Sequence, residues 1–200
     1  MKLKVSISVL MIGICLSANA EVRGGRRLTF GIEGDYVASC LSAGNFSFIP
    51  IEGFRVVEQP VNWKYEGNYA YYLHVGYDFS SIVNLSLYAG YASGIYDMVP
   101  MSLRLTLYTK PDKLNDRWFC FADVGSGLSL QAKVRPLLCG KIGCGYSFAL
   151  SGITSLELMF SLNGIYISPD AAYIGAVHES KLFKSELGVF SASLGIGLKF

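Results

Sequence analysis

The sequence predicts an all-β protein, an eight-stranded antiparallel up-and-down transmembrane β-barrel. Three observations support this prediction: a final segment of strict alternation, seven earlier segments of the same kind, and a start typical of an export signal. Successive side chains of a strand point to opposite faces, so a period of two indicates strands with one apolar face and one polar or small face.

The final segment, 190–200, alternates without exception. Serine, glycine and lysine separate its apolar residues, which are Phe190, Ala192, Leu194, Ile196, Leu198 and Phe200. In a helix, Leu194, Ile196 and Leu198 would point in widely different directions, so the pattern has no helical interpretation.

The first twenty residues have the layout of a cleaved secretory signal. A basic start precedes an apolar run over 5–16, and Ala18 and Ala20 supply small residues before Glu21. The run is shorter than the roughly 20 apolar residues of a membrane helix. A lipoprotein signal at Cys15 is disfavoured because Ile14 precedes it. We therefore predict a signal peptide over 1–20 and one barrel domain over 21–200.

The composition narrows the class further. The chain is 52% hydrophobic and 14% aromatic, with a formal net charge of +2. This hydrophobicity is dispersed through alternating segments, as in membrane barrels. There is no basic stripe for nucleic acid, and no cysteine or histidine spacing indicates zinc. We expect no cofactor.

The seven earlier segments are each about as long as a tilted membrane strand. They are 28–36, 69–79, 85–93, 101–109, 118–124, 138–148 and 156–163. Their connections alternate between short periplasmic turns and longer outer loops, the asymmetry expected of this class. The predicted outer loops are 37–68, 94–100, 127–137 and 164–187. Closure of the barrel would leave no unpaired backbone edge in lipid.

The polar face of these segments predicts a barrel interior. It holds Glu33, Asp35, His74, Asp78, Arg104, Asp123, Lys141, Glu157 and Lys199. A soluble, lipocalin-like barrel is the structural alternative, but it would place apolar side chains inside and charges outside. The chain is too short to cover its apolar face with a second layer. We therefore expect a filled polar core that is neither an ion path nor an acid–base site, with His74 hydrogen-bonded inside it.

Together, the export signal, the eight segments and the terminal Phe200 resemble the small outer-membrane β-barrel proteins of Gram-negative bacteria, with the architecture of the OmpA transmembrane domain and OmpX. The resemblance implies a monomer in the outer membrane, contact with outer-membrane lipid and lipopolysaccharide, and a surface role in structure or adhesion without catalysis. It also implies that the barrel assembly machinery recognises the last strand through Phe190, Leu194, Ile196, Leu198 and Phe200. A small pore is one alternative function.

A lipid A-modifying hydrolase is the other alternative. His178, Ser180 and Glu186 resemble the His-x-Ser motif and later glutamate of the lipid A deacylase family. Lys181 stands where that family has asparagine, and Glu186 is too close to the histidine. His178 also lies about 26 residues beyond the turn near Gly152, which places it in an outer loop. We therefore favour a chance occurrence.

Loop 37–68 is the candidate partner-binding segment, because structureless loops of this length are often functional. Its candidate contact residues are Phe46, Phe48, Phe54, Trp63 and Tyr65. The alternative is that the loop packs on itself or extends the adjacent strands above the membrane as a rigid hairpin.

Two cysteines are predicted to be cross-strand neighbours. If positions summing to about 264 face each other, Cys120 lies opposite Cys144 on the lipid face. They form either a disulfide or, as we favour, two small apolar side chains.

Overall fold

The computed structural model describes residues 27–49, 54–94, 97–111, 115–130, 134–169 and 181–200. The predicted signal peptide lies outside these residues. Within the described ranges there are nine strands: β1 (Leu28–Ile49), β2 (Val56–Glu58), β3 (Val61–Asp78), β4 (Val83–Ala92), β5 (Met98–Tyr108), β6 (Arg117–Ser129), β7 (Val134–Ala149), β8 (Ser155–Pro169) and β9 (Lys181–Lys199). No helix among the described residues has the length and hydropathy needed to span a bilayer.

The eight long strands form a closed antiparallel barrel, so the predicted fold class is confirmed. Neighbours in the sheet follow one another along the chain, and β1 pairs with β9 from Gly31↔Lys199 to Ile49↔Lys181. The amide and carbonyl of Phe30 also exchange hydrogen bonds with those of Phe200. The three-residue β2 pairs with β1 and continues the β1–β3 hairpin past a break at Pro60.

The predicted outer loops are wrong over much of their length, because paired strands continue through them. Pairing of β1 with β9 supplies backbone partners as far as Ile49, and β7 pairs with β8 as far as Pro169. β1 has 22 residues, about twice the number that crosses the hydrocarbon layer. β4 has 10 and β5 has 11. The barrel wall is therefore tall around β7–β9, β1 and β3 and low at β4 and β5.

The two faces of the wall have opposite polarity. The outward face exposes apolar side chains such as Leu73, Leu103, Ile142, Leu158 and Leu194. The inward face buries the charged side chains. The soluble, lipocalin-like barrel would require the reverse arrangement.

Two glycines of β7 make room for aromatic rings inside the barrel. Gly143 pairs with Phe121, and Gly145 pairs with Phe119. A Cβ at Gly143 would lie 2.7 Å from Phe121 Cζ, and one at Gly145 would meet the Phe119 ring. Glycine is thus required here by close approach, and the two phenylalanines fill the space.

We expect Gly145→Val to destabilise the barrel by about 1–3 kcal/mol, because the new side chain overpacks the interior beside Phe119. Cys144→Val is the matched control, since Cys144 directly precedes Gly145 and its side chain points outward. Urea unfolding in lipid vesicles measures both variants. Equal unfolding midpoints would contradict the packing argument.

Candidate functional site

Arg104 is the centre of the barrel interior. It lies on β5 beside Asp123 of β6, and its Nε and Nη2 donate to the two Asp123 oxygens at 2.7 and 2.8 Å. Its Nη1 and Nη2 also donate to the two oxygens of Glu33, at 2.5 and 3.1 Å. The planar guanidinium fork therefore binds two carboxylates at once, which a lysine is not shaped to do.

Lys141 extends this arrangement toward the outer end. Its Nζ lies 2.6 Å from Glu33 Oε1 and 2.6 Å from Asp35 Oδ2. We call Glu33, Asp35, Arg104, Asp123 and Lys141 the central ion cluster. It joins β1, β5, β6 and β7 and holds three carboxylates against two cations.

Aromatic rings fill the space around the central ion cluster. The Arg104 guanidinium lies 3.9 Å from the ring centre of Tyr88 and 4.2 Å from that of Phe121. It also donates to Tyr88 Oη at 2.9 Å. The His74 ring stacks on the Tyr88 ring, with 4.6 Å between the ring centres. Rings and ion pairs together occupy the cross-section at this level.

A second polar layer lies nearer the inner end. Tyr108 Oη donates to Glu157 Oε1 at 3.1 Å and accepts from Lys199 Nζ at 2.7 Å. The Arg117 guanidinium stacks 3.6 Å from the Tyr108 ring centre. Nearby, Asn84 Nδ2 donates to Asp78 Oδ1 at 2.8 Å.

All nine residues predicted for the interior have side chains inside the barrel. Five form the central ion cluster, Glu157 and Lys199 surround Tyr108, and Asp78 contacts Asn84. His74 Nδ1 has no hydrogen-bond partner among the described residues. The hydrogen-bonded role expected for His74 therefore stays a prediction. Among these described residues, no His/Cys/Asp/Glu group is arranged to hold a metal.

Sequence reasoning missed three interior residues that organise these layers. Tyr88 and Tyr108 lie on the polar faces of their strands, so alternation carries the signal, but a tyrosine ring by itself does not indicate a polar partner. Arg117 immediately precedes the predicted segment 118–124, so the alternation of that segment does not place it on a face.

The residues of the hydrolase alternative are only partly described. His178 and Ser180 lie outside the described residues. Glu186 forms an ion pair with Lys184 at 2.8 Å. Hydrogen bonds from Lys184 and Tyr166 hold the pKa of the Glu186 carboxyl below its usual value. Glu186 thus has Lys184 and Tyr166 as partners, and neither belongs to the His-x-Ser motif of His178 and Ser180.

The aromatic residues of the candidate partner-binding segment separate into two groups. Phe46 is buried in an apolar cluster with Ile167, Leu187 and Val189, and Phe48 is half-buried. In contrast, Phe54 and Trp63 are 77% and 78% exposed, and Tyr65 is also exposed. Tyr65 Oη is hydrogen-bonded to Tyr36 Oη. In its described residues, the segment consists mainly of the paired strands β1, β2 and β3, in agreement with the hairpin interpretation.

The cysteine register is confirmed, because Cys120 pairs with Cys144. Both are free thiols exposed on the outer face. In the closing strand, Phe190, Leu194 and Ile196 are exposed on the same face, whereas Leu198 and Phe200 are half-buried.

A closed antiparallel barrel with enclosed charges and an apolar outer face defines a small β-barrel of the outer-membrane type. The fold is shared with OprG of Pseudomonas aeruginosa at 12% identity, covering 90% of this chain and 99% of that chain with a TM-score of 0.50. It is shared also with the outer membrane protein AlkL at 12% identity, covering 90% and 94% with a TM-score of 0.50. No family model and no curated protein sequence matches the chain. The chain is thus similar to small outer-membrane β-barrel proteins in fold.

We expect Arg104→Met to lower the free energy of unfolding by about 3–5 kcal/mol, because it leaves Glu33 and Asp123 buried without their shared cation. Fluorescence of the chain's two tryptophans during guanidinium unfolding in vesicles measures the loss. Lys184→Met removes the cation of an exposed ion pair and serves as the control, with an expected change of at most about 1 kcal/mol. Similar losses in both variants would contradict a special role for the central ion cluster.

Proposed function

We propose that this protein is an integral, monomeric outer-membrane barrel that presents its tall wall at the cell surface, in a structural or adhesive role without catalysis. The observation that supports the proposal best is the reversed polarity of the wall, with apolar side chains outside and the central ion cluster inside. An exposed apolar belt around a whole molecule is stable in lipid but not in water.

Aromatic pairs on the outward face support a lipid location. Trp118 and Tyr146 pack edge-to-face at 4.9 Å, and Tyr77 and Phe79 do so at 5.2 Å. Both pairs lie at or next to the inner ends of their strands, whereas Tyr69 and Tyr71 lie 5.7 Å apart near the middle of β3, where its outer extension begins. Such bands are typical of the two interfaces of a membrane barrel.

The β1–β2–β3 hairpin supports the surface role. It continues well past the length needed to cross lipid and exposes Phe54, Trp63 and Tyr65. Trp63 and Tyr65 lie on β3. Exposed aromatic residues held on a paired strand suit partner binding, since little conformational freedom is lost. Lipopolysaccharide is the first partner we propose, with the exposed aromatic rings and Lys184 available to it. The closing strand would serve the barrel assembly machinery through its outward Phe190, Leu194 and Ile196.

The filled cross-section argues against the small pore, because the central ion cluster and its aromatic rings stand in the path along the barrel axis. We expect no single-channel conductance in planar bilayers. Discrete openings would favour the pore instead.

The membrane assignment is tested by gel mobility with and without boiling, after extraction from outer membranes. Leu103→Arg places a charge in the apolar belt, where it costs about 2–4 kcal/mol near the bilayer midplane. We expect this variant to lose the heat-dependent mobility shift. Val61→Arg is the control, because Val61 is equally outward but lies on the extension beyond the membrane. A freely soluble protein with no mobility shift would overturn the proposal.

A further inference from the structure

The inner end of the barrel contains a cavity that lies against the second polar layer. The β3–β4 turn and the β7–β8 turn form its rim, and Arg117 and Lys199 line it at the inner ends of their strands. Its volume is about 470 Å³. Small-molecule sites usually enclose about 300–1,000 Å³. The cavity is therefore large enough for a small molecule.

Positive side chains outnumber negative ones in the described lining of this cavity. Arg27, Arg117 and Lys199 contribute cations, whereas Asp78 contributes a carboxylate. Arg117 and Lys199 are only 7% and 8% exposed. Charges that are partly shielded from water interact more strongly with a nearby ion. This lining therefore favours an anion over a cation.

Negative groups at this end already have hydrogen-bond donors. Asp78 Oδ1 accepts from Asn84 Nδ2 at 2.8 Å. The main-chain oxygen of Phe200, which also borders the cavity, accepts from the Phe30 amide at 3.1 Å. These groups are held by the wall, so a ligand that enters the cavity meets mainly donors.

The serines of the two turns add donors at the rim. Ser80 Oγ accepts from the amides of Ile82 and Val83 at 3.3 and 3.1 Å. Ser151 Oγ accepts from the amides two and three residues further on, at 3.4 and 3.1 Å. A hydroxyl has two lone pairs and one proton to donate. With both lone pairs engaged, each of these serines can only donate to a further partner.

Arg117 adds donors in the deeper part of the cavity. Its Nη1 donates to the carbonyl oxygens of Ser81 and Lys110 at 3.1 and 3.4 Å. A guanidinium has five N–H groups in a fixed fork, so the Nε and Nη2 side of Arg117 has further donors. A guanidinium fork matches the geometry of an oxyanion such as phosphate or carboxylate.

We infer that this cavity binds a small molecule through a phosphate group, with Arg117 donating from the deeper side and the turn serines donating from the rim. Phosphate has three strong acceptor oxygens, one more than a carboxylate, and suits a site with donors on several sides. Two sources carry such a group: a phospholipid headgroup at the inner interface and a soluble phosphate ester. This ligand is additional to the surface role and does not depend on what the hairpin binds.

A cysteine at position 155 reports occupancy, because Ser155 lines the cavity and is half-buried. We would combine Ser155→Cys with serine at the four native positions Cys40, Cys120, Cys139 and Cys144, and follow its reaction with methyl methanethiosulfonate, an uncharged reagent. In dodecyl maltoside, which contains no phosphate, glycerol 3-phosphate is expected to slow the reaction and glycerol is not. A protein that keeps only Cys40, an exposed cysteine outside the lining, controls for effects on the reagent.

The same protein in phospholipid nanodiscs distinguishes the two sources. A reaction that is slow in nanodiscs without added ester identifies a lipid headgroup as the ligand. A reaction that is equally fast in nanodiscs and in maltoside, but is slowed by glycerol 3-phosphate, identifies a soluble ester. Both results support a phosphate site.

Two variants test the cations of the lining. Arg117→Gln is expected to weaken protection by either source about tenfold, the loss of one hydrogen bond to a charged group. Arg27→Gln at the exposed rim is expected to weaken it about threefold. Lys110→Gln is the matched control, because it removes an exposed cation at the same end of the barrel but outside the lining.

The heat-dependent mobility shift verifies that each variant still forms a barrel. If Arg117→Gln does not, Arg27→Gln decides the test, since the exposed rim position does not support the barrel interior.

Three results would overturn the inference. One is a Ser155→Cys protein that stays unreactive in maltoside without ligand, which would mean that the cavity is closed or filled by the chain itself. Another is equal protection by glycerol. The third is absence of protection by both phosphate sources, or protection that is weakened no more by the lining variants than by Lys110→Gln. Each can occur while the barrel remains membrane-bound, so failure here is distinct from failure of the proposed function.

Discussion

The rest of the structure depends on the closure of backbone hydrogen bonding between β1 and β9. In lipid no water replaces a missing backbone partner, so a sheet is stable only without free edges. The seam between these strands runs from the Phe30–Phe200 hydrogen bonds to Ile49↔Lys181. Because neighbouring strands are antiparallel, a closed barrel needs an even number of strands. Closure also separates the inside of the barrel from the outside. The apolar outer face and the charged interior follow from that separation.

An enclosed polar interior then needs mutual satisfaction of its charges. Arg104 meets this need by binding Glu33 and Asp123 through one planar group, and Lys141 bridges Glu33 to Asp35. Buried ion pairs of this kind contribute little net stability but make removal of one partner costly. The central ion cluster is therefore better understood as a device that fixes four strands in one arrangement than as a source of stability. At the outer side of the cluster, Asp35 Oδ1 has no hydrogen-bond partner among the described residues.

Much of this arrangement was predictable from the sequence, because lipid enforces alternation wherever a strand crosses it. Strand faces, the pairing of Cys120 with Cys144 and the inward position of Arg104 all follow from a period of two. The extensions above the membrane were not predictable in this way. A register shift between Ser39 and Leu41, with Cys40 as the extra residue, reverses the faces of β1 and turns Phe46 inward. The partner that holds this part of β1 is β9, distant in sequence, so local patterns gave no signal for it.

The change of polarity along the barrel axis separates what the membrane requires from what it does not. Lipid dictates the outward belt, and enclosure dictates that charges near the middle are paired. Neither dictates that Ile165, Ile167 and Val189 face inward above the ion cluster, where they pack in one apolar cluster with Phe46. The strands there are also longer than crossing requires, and the wall on the β4–β5 side is low. The apolar cluster of Phe46, Ile167, Leu187 and Val189 is therefore an addition to the minimal barrel, and it joins the outer parts of β1, β8 and β9 above the central ion cluster.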